Sequence, residues 1–148
     1  MRTKSFYAIG HISNDILPHA HLNGTVVNSA LTAKRLGFNA TIITKAPVNH
    51  PYILTLNKMG LNIINLPIRN NNKLRSITTF KNIFSGTKRK QIVLNTQEKI
   101  TCKDLKYFPE MEDDAIILLC PLINEVSPAV KKYFKKVKHI SLSGLAEP

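Results

Sequence analysis

Ser5-Phe-Tyr-Ala-Ile-Gly10 is the stretch that decides the fold, because it alternates in polarity and ends in a glycine. That pattern predicts a short strand closed by a turn, and we expect this strand to be central in a sheet. Residues 25–36 carry apolar side chains at helical spacing and stop before Gly37, so they predict an α-helix. Residues 39–44 predict a second strand. The order strand, helix, strand indicates an α/β arrangement.

The rest of the chain continues this order with one antiparallel interruption. Segments 76–84 and 90–94 alternate in polarity on either side of Ser85-Gly86, which predicts a hairpin. The other predicted elements are a helix over 51–59, a strand over 61–66, a buried strand over 115–120, an amphipathic helix over 129–138 and a strand over 139–142. Together they predict an α/β fold with a Rossmann-like, mostly parallel sheet, helices on both faces and a small β flap.

Composition limits the class of protein. The chain has 148 residues, of which 43% are hydrophobic, enough for one core and hence a single domain over 1–148. No run of about 18 apolar residues occurs and no signal-peptide pattern is present, so we expect a cytoplasmic protein without a membrane partner. The two cysteines lack C-x-x-C spacing, and His19 and His21 lack a third ligand, so neither a disulfide nor a metal site is predicted.

The net charge of +12 leaves several classes of partner open. A nucleic acid, an anionic membrane or a phosphorylated ligand would each suit a basic protein. The densest lysine cluster lies in segment 129–138, where apolar residues recur every three or four positions and leave the lysines on the opposite face. No aromatic residues interleave with the charges as base stacking would require, so we favour a solvated helix face over a nucleic-acid surface.

Asn14 and Asp15 follow the first predicted strand. In open α/β sheets ligands bind beyond the carboxyl ends of strands, and a carboxylate there can accept hydrogen bonds from two hydroxyl groups. Such a contact would select polyols, because a missing hydroxyl leaves a buried acceptor unpaired at a cost of roughly 1–3 kcal/mol. A second interpretation, in which Asp15 only caps a turn, is open from the residue alone.

Asn23-Gly24-Thr25 leads into the predicted helix and also has two interpretations. Asn23 or Thr25 can serve as the helix N-cap. Alternatively, Gly24 lets a ligand approach the backbone, and Asn28, one turn into the helix, directs its amide toward the space near Asp15. The spacing Gly-x-x-x-Asn is common by chance, so its weight comes from its position about ten residues after Asp15.

These motifs resemble the N-terminal half of the ribokinase-like (PfkB) family of sugar and nucleoside kinases. The matching residues, in the order and spacing of that family, are Gly10, Asn14, Asp15, Gly24, Asn28, Ala30, Leu36 and Gly37. Thr78-Thr79 with the later Gly86 and Arg89 resembles the family's lid, and the resemblance places lid strands near 12–24 and 76–95. The match extends over nearly all of this chain but only the front half of the family's usual length.

The resemblance implies a site that holds the hydroxyl groups of a sugar or nucleoside beneath a closing lid that excludes water. Arg89 is the candidate contact for a substrate phosphate or carboxylate, with a plain surface charge as the other interpretation. The residues implied for substrate binding are Asn14, Asp15, Gly24, Asn28, Thr79 and Arg89.

Three departures from the family pattern affect the expected chemistry. The first glycine of the family's pair is Asn23, and the acidic segment after the second strand is replaced by Lys45-Ala-Pro-Val-Asn49. The Gly-Ala-Gly-Asp motif that supplies the phosphoryl-binding amides and the catalytic base is absent. The family implies ATP and Mg²⁺ as cofactors, but we predict neither their sites nor a catalytic residue in this chain.

Three functional hypotheses remain. The first is the substrate-binding portion of an ATP-dependent PfkB-type carbohydrate or nucleoside kinase, and the second is a non-catalytic relative that binds a sugar or dimerises. The third is a basic α/β protein that binds nucleic acid, which steeply salt-dependent binding would favour. The expected partners are a sugar or nucleoside and a second copy of the chain paired through its lid strands.

Overall fold

The computed structural model describes residues 3–16, 19–121, 123–134, 137 and 139–142. Within those residues the chain forms nine strands, two α-helices and three 3-10 helices. The 3-10 helices lie at Asn71–Lys73, Cys102–Tyr107 and Pro128–Phe134. The strands and α-helices, in chain order, are β1 (Ser5–Ile9), β2 (Ser13–Asp15), β3 (His21–Asn23), α1 (Thr25–Arg35), β4 (Asn39–Thr44), α2 (Pro51–Lys58), β5 (Asn62–Asn65), β6 (Thr78–Ser85), β7 (Lys88–Asn95), β8 (Ile116–Leu119) and β9 (His139–Leu142).

The main sheet has five strands in the order β5-β4-β1-β8-β9, and every pair is parallel. Strand β1 is the middle strand, which confirms its predicted central position. Its residues alternate between the two faces: Ala8 belongs to the core on one face, while Tyr7 and Ile9 belong to the core on the other. Such a doubly covered parallel strand needs apolar residues on both sides, as this one has.

Helices α1 and α2 cover one face of the sheet. Helix α1 buries Val26, Ala30 and Ala33 against β1 and β4, and it ends where Gly37 takes a φ of 95°. Helix α2 begins at Pro51, and the ring nitrogen Nδ1 of His50 accepts the free backbone N–H of Tyr52 at 3.1 Å. Both helices lie within one residue of their predicted ends, and no helix among the described residues is long and apolar enough to span a membrane.

The opposite face is covered by 3-10 helices, which corrects the predicted amphipathic α-helix over 129–138. The described part of that segment is the 3-10 helix Pro128–Phe134, while residues 135, 136 and 138 lie outside the described residues. Val130 and Phe134 are buried, as the apolar spacing predicted, but Tyr133 is half exposed. 3-10 turns are frequent as connectors between other elements, although a run of seven residues is longer than most. The α/β fold class itself is confirmed.

A second sheet, called the lid sheet after the resemblance, has four strands in the order β3-β2-β6-β7. Strands β2 and β6 run parallel, while β2–β3 and β6–β7 are antiparallel. The β6–β7 hairpin turns at Gly86, whose φ of 61° suits a glycine. The four strands of this sheet lie within residues 12–24 and 76–95, where the resemblance places lid strands, and their action as a lid stays a prediction. Strand β2 begins at Ser13, directly after Ile12, which is buried in the main core, so the second sheet starts close to the end of β1.

Candidate functional site

Asp15 lies at the end of β2, is buried, and contacts two side-chain amides, one of which contacts a third. Its Oδ2 accepts a hydrogen bond from Asn23 Nδ2 at 2.7 Å, and Asn82 Nδ2 lies 3.4 Å from the same oxygen. Asn28 on α1 donates through Nδ2 to Asn23 Oδ1 at 3.4 Å. Asp15 and Asn28 are therefore brought together, and the link between them is Asn23, the residue that stands where the family pattern has a glycine.

The backbone at position 24 and the atoms packed against it require a glycine, whether or not a ligand binds there. Its φ of 123° lies in a region that residues with a side chain rarely adopt, and it is the N-cap of α1 without any side-chain capping bond. A Cβ at this position would stand 3.2 Å from the carbonyl oxygen of His11 and 3.5 Å from the backbone nitrogen of Ser13. Neither Asn23 nor Thr25 caps the helix, so the capping interpretation of this motif is wrong for their side chains.

Asn82, on β6, was missed by the sequence analysis. Its side chain lies on the same face of the lid as Phe80, two residues earlier, which pairs with Asp15 across β2 and β6. Only its spacing of two residues from Phe80 in a predicted strand could have indicated that this amide points inward. Sequence alone could not show that β6 pairs in register with β2, some 65 residues earlier, because the pairing residues are distant along the chain.

The structure places Asn14 and Thr79 on the other face of the lid from Asp15. The two residues pair with each other across β2 and β6, and successive side chains of a strand point to opposite faces. Asn14 Oδ1 accepts the hydroxyl of Tyr52 at 2.7 Å, and Thr79 Oγ1 donates to the carbonyl of Ile77 at 2.8 Å. Burial, and then the charge of Asp15, raise the pKa of Tyr52, so its hydroxyl stays protonated as a donor.

Arg89 is exposed near the turn of the β6–β7 hairpin. It pairs with Phe84, four residues beyond Phe80, so it lies about 13 Å along the strand from the level of Asp15. The structure thus does not bring Arg89 to the Asp15 cluster. Its assignment to a substrate phosphate stays a prediction.

A buried histidine anchors the base of the lid. His11 follows β1, and its Nε2 lies 2.9 Å from the carbonyl oxygen of Glu98, which can only accept, so Nε2 carries the proton. Its Nδ1 therefore accepts from Thr78 Oγ1 at 2.9 Å, and Thr78 Oγ1 accepts the N–H of Gln97 at 3.1 Å. Burial lowers the pKa of His11, which keeps the ring neutral and this network intact. The network joins the start of β6 and the segment after β7 to the end of β1.

Lys45, which replaces the family's acidic segment, forms a buried ion-pair cluster instead. Its side chain is fully buried, and Nζ lies 2.6 Å from Glu98 Oε2 and 3.1 Å from Asp104 Oδ2. Arg69 Nη1 contacts the other oxygen of Asp104 at 2.7 Å. Burial opposes the ionisation of Glu98, but hydrogen bonds from Lys45 and from the N–H groups of Arg69 and Asn70 prevail and lower its pKa. The carboxylates missing after β4 are thus supplied by residues more than 50 positions later.

Two further features of the described residues bear on the site, and one of them, an apolar groove, is lined in part by Asn28. No group of three or more His, Cys, Asp or Glu side chains among the described residues is arranged to hold a metal ion, and His21 Nδ1 contacts the carbonyl of His19. An open groove of about 480 Å³ lies between α1 and the exposed side of β1 and β8. Its lining is mainly apolar, including Phe6, Ile116 and Leu118, and so does not suit a polyol.

No protein-family model and no curated protein sequence matches the chain. Among solved structures, it is similar to a pyrophosphate-dependent kinase in the ribokinase family complexed with a pyrophosphate analogue and myo-inositol, with a TM-score of 0.71 and 23% identity. It is also similar to an uncharacterized sugar kinase from Pyrococcus horikoshii (TM-score 0.68, 17% identity) and to a fructokinase from Vibrio cholerae O395 (TM-score 0.63, 14% identity).

These matches cover 93%, 96% and 95% of this chain, but only 48%, 54% and 53% of the three solved chains. The chain therefore spans about half the length of the kinases that it resembles. The parallel sheet order, the separate lid sheet and this partial coverage agree with the expectation drawn from the motifs around Asp15. The chain has the ribokinase-like fold, over a part consistent with the N-terminal half of such a kinase.

Proposed function

We propose that this chain is the substrate-binding part of a ribokinase-type kinase and that it binds a neutral sugar or related polyol. The observation that carries the proposal is the placement of Asp15: a buried carboxylate at the base of the lid, facing amides from Asn23 and Asn82 and joined through Asn23 to Asn28. A carboxylate among amides offers both acceptors and donors to hydroxyl groups, which is the mixture that polyols require.

The chain's own residues would bind and orient the substrate rather than transfer the phosphoryl group. Similar structures include a pyrophosphate-dependent kinase and a sugar kinase solved with ATP, so either donor suits the fold. For this chain ATP with Mg²⁺ remains the donor that the family implies. The sequence holds no Gly-Ala-Gly-Asp motif and the described residues hold no metal-ligand cluster, so we assign no step of the transfer to them. We expect no phosphoryl transfer by the purified chain alone.

The lid also supports the proposed pairing of two copies. Four apolar side chains on β6 and β7 are exposed, and Phe84, at 68%, is the most exposed of them. Phe84 and Val93 lie on one face of the hairpin and Ile83 and Leu94 on the other, so each face offers apolar side chains to a second copy. The four residues are Ile83, Phe84, Val93 and Leu94. A concentration-dependent dimer in analytical ultracentrifugation, lost in Phe84→Asp, would support a homodimer, whereas a monomer at all concentrations would contradict it.

Ligand-induced stabilisation tests the binding function. The chain would be heated with millimolar D-ribose, D-fructose, myo-inositol, adenosine or cytidine, and a ligand at 100 times its Kd stabilises the native state by about 2.7 kcal/mol. Asp15→Asn should weaken binding about 5- to 150-fold, the equivalent of roughly 1–3 kcal/mol for an unmade hydrogen bond. Asp113→Asn, an exposed carboxylate outside the cluster, is the matched control. If none of the ligands stabilises the wild-type chain, the proposed function is wrong.

A further inference from the structure

Asn82 carries the only buried side-chain nitrogen or oxygen atom, among the described residues, that has no hydrogen-bond partner. The atom is Oδ1, and the residue as a whole is 8% exposed. Buried polar atoms in folded proteins are paired with few exceptions, and an exception calls for a physical explanation. Nothing on β6 itself requires an asparagine here, because an apolar residue would fill the same inward position without leaving an acceptor unpaired.

The orientation of this amide is determined by Asp15. Asn82 Nδ2 points at Asp15 Oδ2 from 3.4 Å, whereas the flipped amide would place its oxygen against the carboxylate. Oδ1 is therefore the end that faces away from Asp15 and needs a donor. The contacts of Asn23 and Asn82 both go to Asp15 Oδ2, and no described residue donates to the other carboxylate oxygen, Oδ1, which is not a buried unpaired atom. An unpaired buried acceptor, Asn82 Oδ1, thus lies beside a carboxylate that has an oxygen available to a further donor.

The surroundings favour hydroxyl groups over a cation as the missing donors. The nitrogen ends of Asn23 and Asn82 both lie at Asp15 Oδ2, so positive ends of two amide dipoles already face this space. A cation would meet those dipoles, whereas a hydroxyl can accept from one amide and donate to the next acceptor. Phe80, buried on the same face of the lid, and Val93 opposite it add an apolar surface on which the C–H face of a ring can lie.

We propose that Asn82 is a specificity-determining residue that accepts a hydrogen bond from a second hydroxyl of the polyol bound by Asp15. The inference rests on the proposed function of this site and adds the ligand class: a ring with two neighbouring hydroxyl groups, one paired with Asp15 and one with Asn82. Since Asn82 belongs to β6 and Asp15 to β2, residues of two adjacent strands hydrogen-bond to the ligand at the same time. A ligand that lacks one of the two hydroxyls leaves an acceptor unpaired.

Matched pairs of probes test this inference on the full chain. Affinities would be measured by calorimetry for D-ribose against 2-deoxy-D-ribose and for myo-inositol against its monodeoxy analogue. For whichever pair binds, we expect the wild-type chain to favour the fully hydroxylated member by about tenfold or more. In Asn82→Leu that ratio should fall at least about fivefold, because the acceptor that distinguishes the two ligands is gone. Lys81→Leu is the control: Lys81 adjoins Asn82 on β6 but its side chain lies on the opposite face of the sheet, so this variant should keep the wild-type ratio.

The unliganded proteins provide a second readout. If Asn82 serves a ligand rather than the fold, Asn82→Leu should match or exceed the wild-type melting temperature, since it removes an unpaired buried acceptor. A purely structural asparagine would instead lower it on replacement. Asn82→Ala serves as a smaller variant should the leucine not be accommodated. Polyol binding by the wild type with an unchanged ratio in both variants would overturn this inference alone, whereas no polyol binding by the wild type would overturn the proposed function as well.

Discussion

Lys45→Met should destabilise the protein strongly, because it removes the cation from a buried cluster and leaves its carboxylates behind. Asp104 is fully buried and would keep Arg69 and the backbone N–H of Thr101 as partners, while Glu98 would keep the two backbone N–H groups that it already accepts. Breaking a buried pair by removing one partner costs about 3–5 kcal/mol. Because both carboxylates keep some partners, we expect a loss of unfolding free energy at the lower end, about 3 kcal/mol. For a chain of this length that loss lowers the melting temperature by roughly 6–12 °C.

Urea denaturation followed by circular dichroism measures this loss as a shift of the midpoint at constant slope. Lys58→Met, at an exposed lysine on α2, is the control and should change stability by less than about 0.5 kcal/mol. The combined Lys45→Met, Glu98→Gln and Asp104→Asn variant should recover part of the loss, since no carboxylate is then left unpaired. A Lys45→Met protein within about 1 kcal/mol of wild type would refute the view that this cluster is tightly coupled.

Three further outcomes follow from the site. Gly24→Ala should lower the free energy of unfolding by about 1–3 kcal/mol, read from the urea midpoint, since φ is 123° there; an unchanged midpoint would contradict the described backbone. The folded-state pKa of His11 lies below its ordinary 6.5, so the unfolded protein binds a proton that the folded protein does not. Stability should therefore fall as the pH drops below about 6.5, by at most about 1.4 kcal/mol per pH unit. His11→Gln should flatten this slope, and an equal slope in the variant would show that another group causes it. Burial raises the pKa of Cys120 to about 12, so at pH 8 a thiol reagent should label exposed Cys102 rapidly and Cys120 only in denaturant; rapid labelling of both would contradict the burial.

Helices and strands were predictable where the spacing of apolar residues and a residue that ends the element indicate the same boundary. Strand β1 with Gly10 and helix α1 with Gly37 appear within a residue of their predicted ends because each carries both a pattern and a stop signal. The segment over 129–138 had helical spacing without a comparable start signal, and the structure forms a 3-10 helix over Pro128–Phe134. Spacing alone does not separate the two helix types over so few turns.

The candidate site was predictable in part, for reasons of chain distance. Asp15 and Asn28 lie close in sequence and were found from one motif, whereas the role of Asn82 depends on a register between β2 and β6 that no local pattern carries. The same holds for Lys45, for which the sequence showed only that it stands in place of the family's acidic segment. Its partners Glu98 and Asp104 follow more than 50 residues later and come to it through tertiary packing.

The place of β1 in the strand order has a consequence for biosynthesis. Strand β4 pairs with one edge of β1 and is followed by β5, so that side of the sheet is synthesised early. The partner for the other edge of β1 is β8, which begins at Ile116, about 50 residues after β5 ends at Asn65. At roughly 5–20 residues per second, a ribosome needs about 3–10 s to make that interval. Throughout it the nascent polypeptide presents an unpaired, apolar strand, so chaperone capture should concentrate on this window of translation.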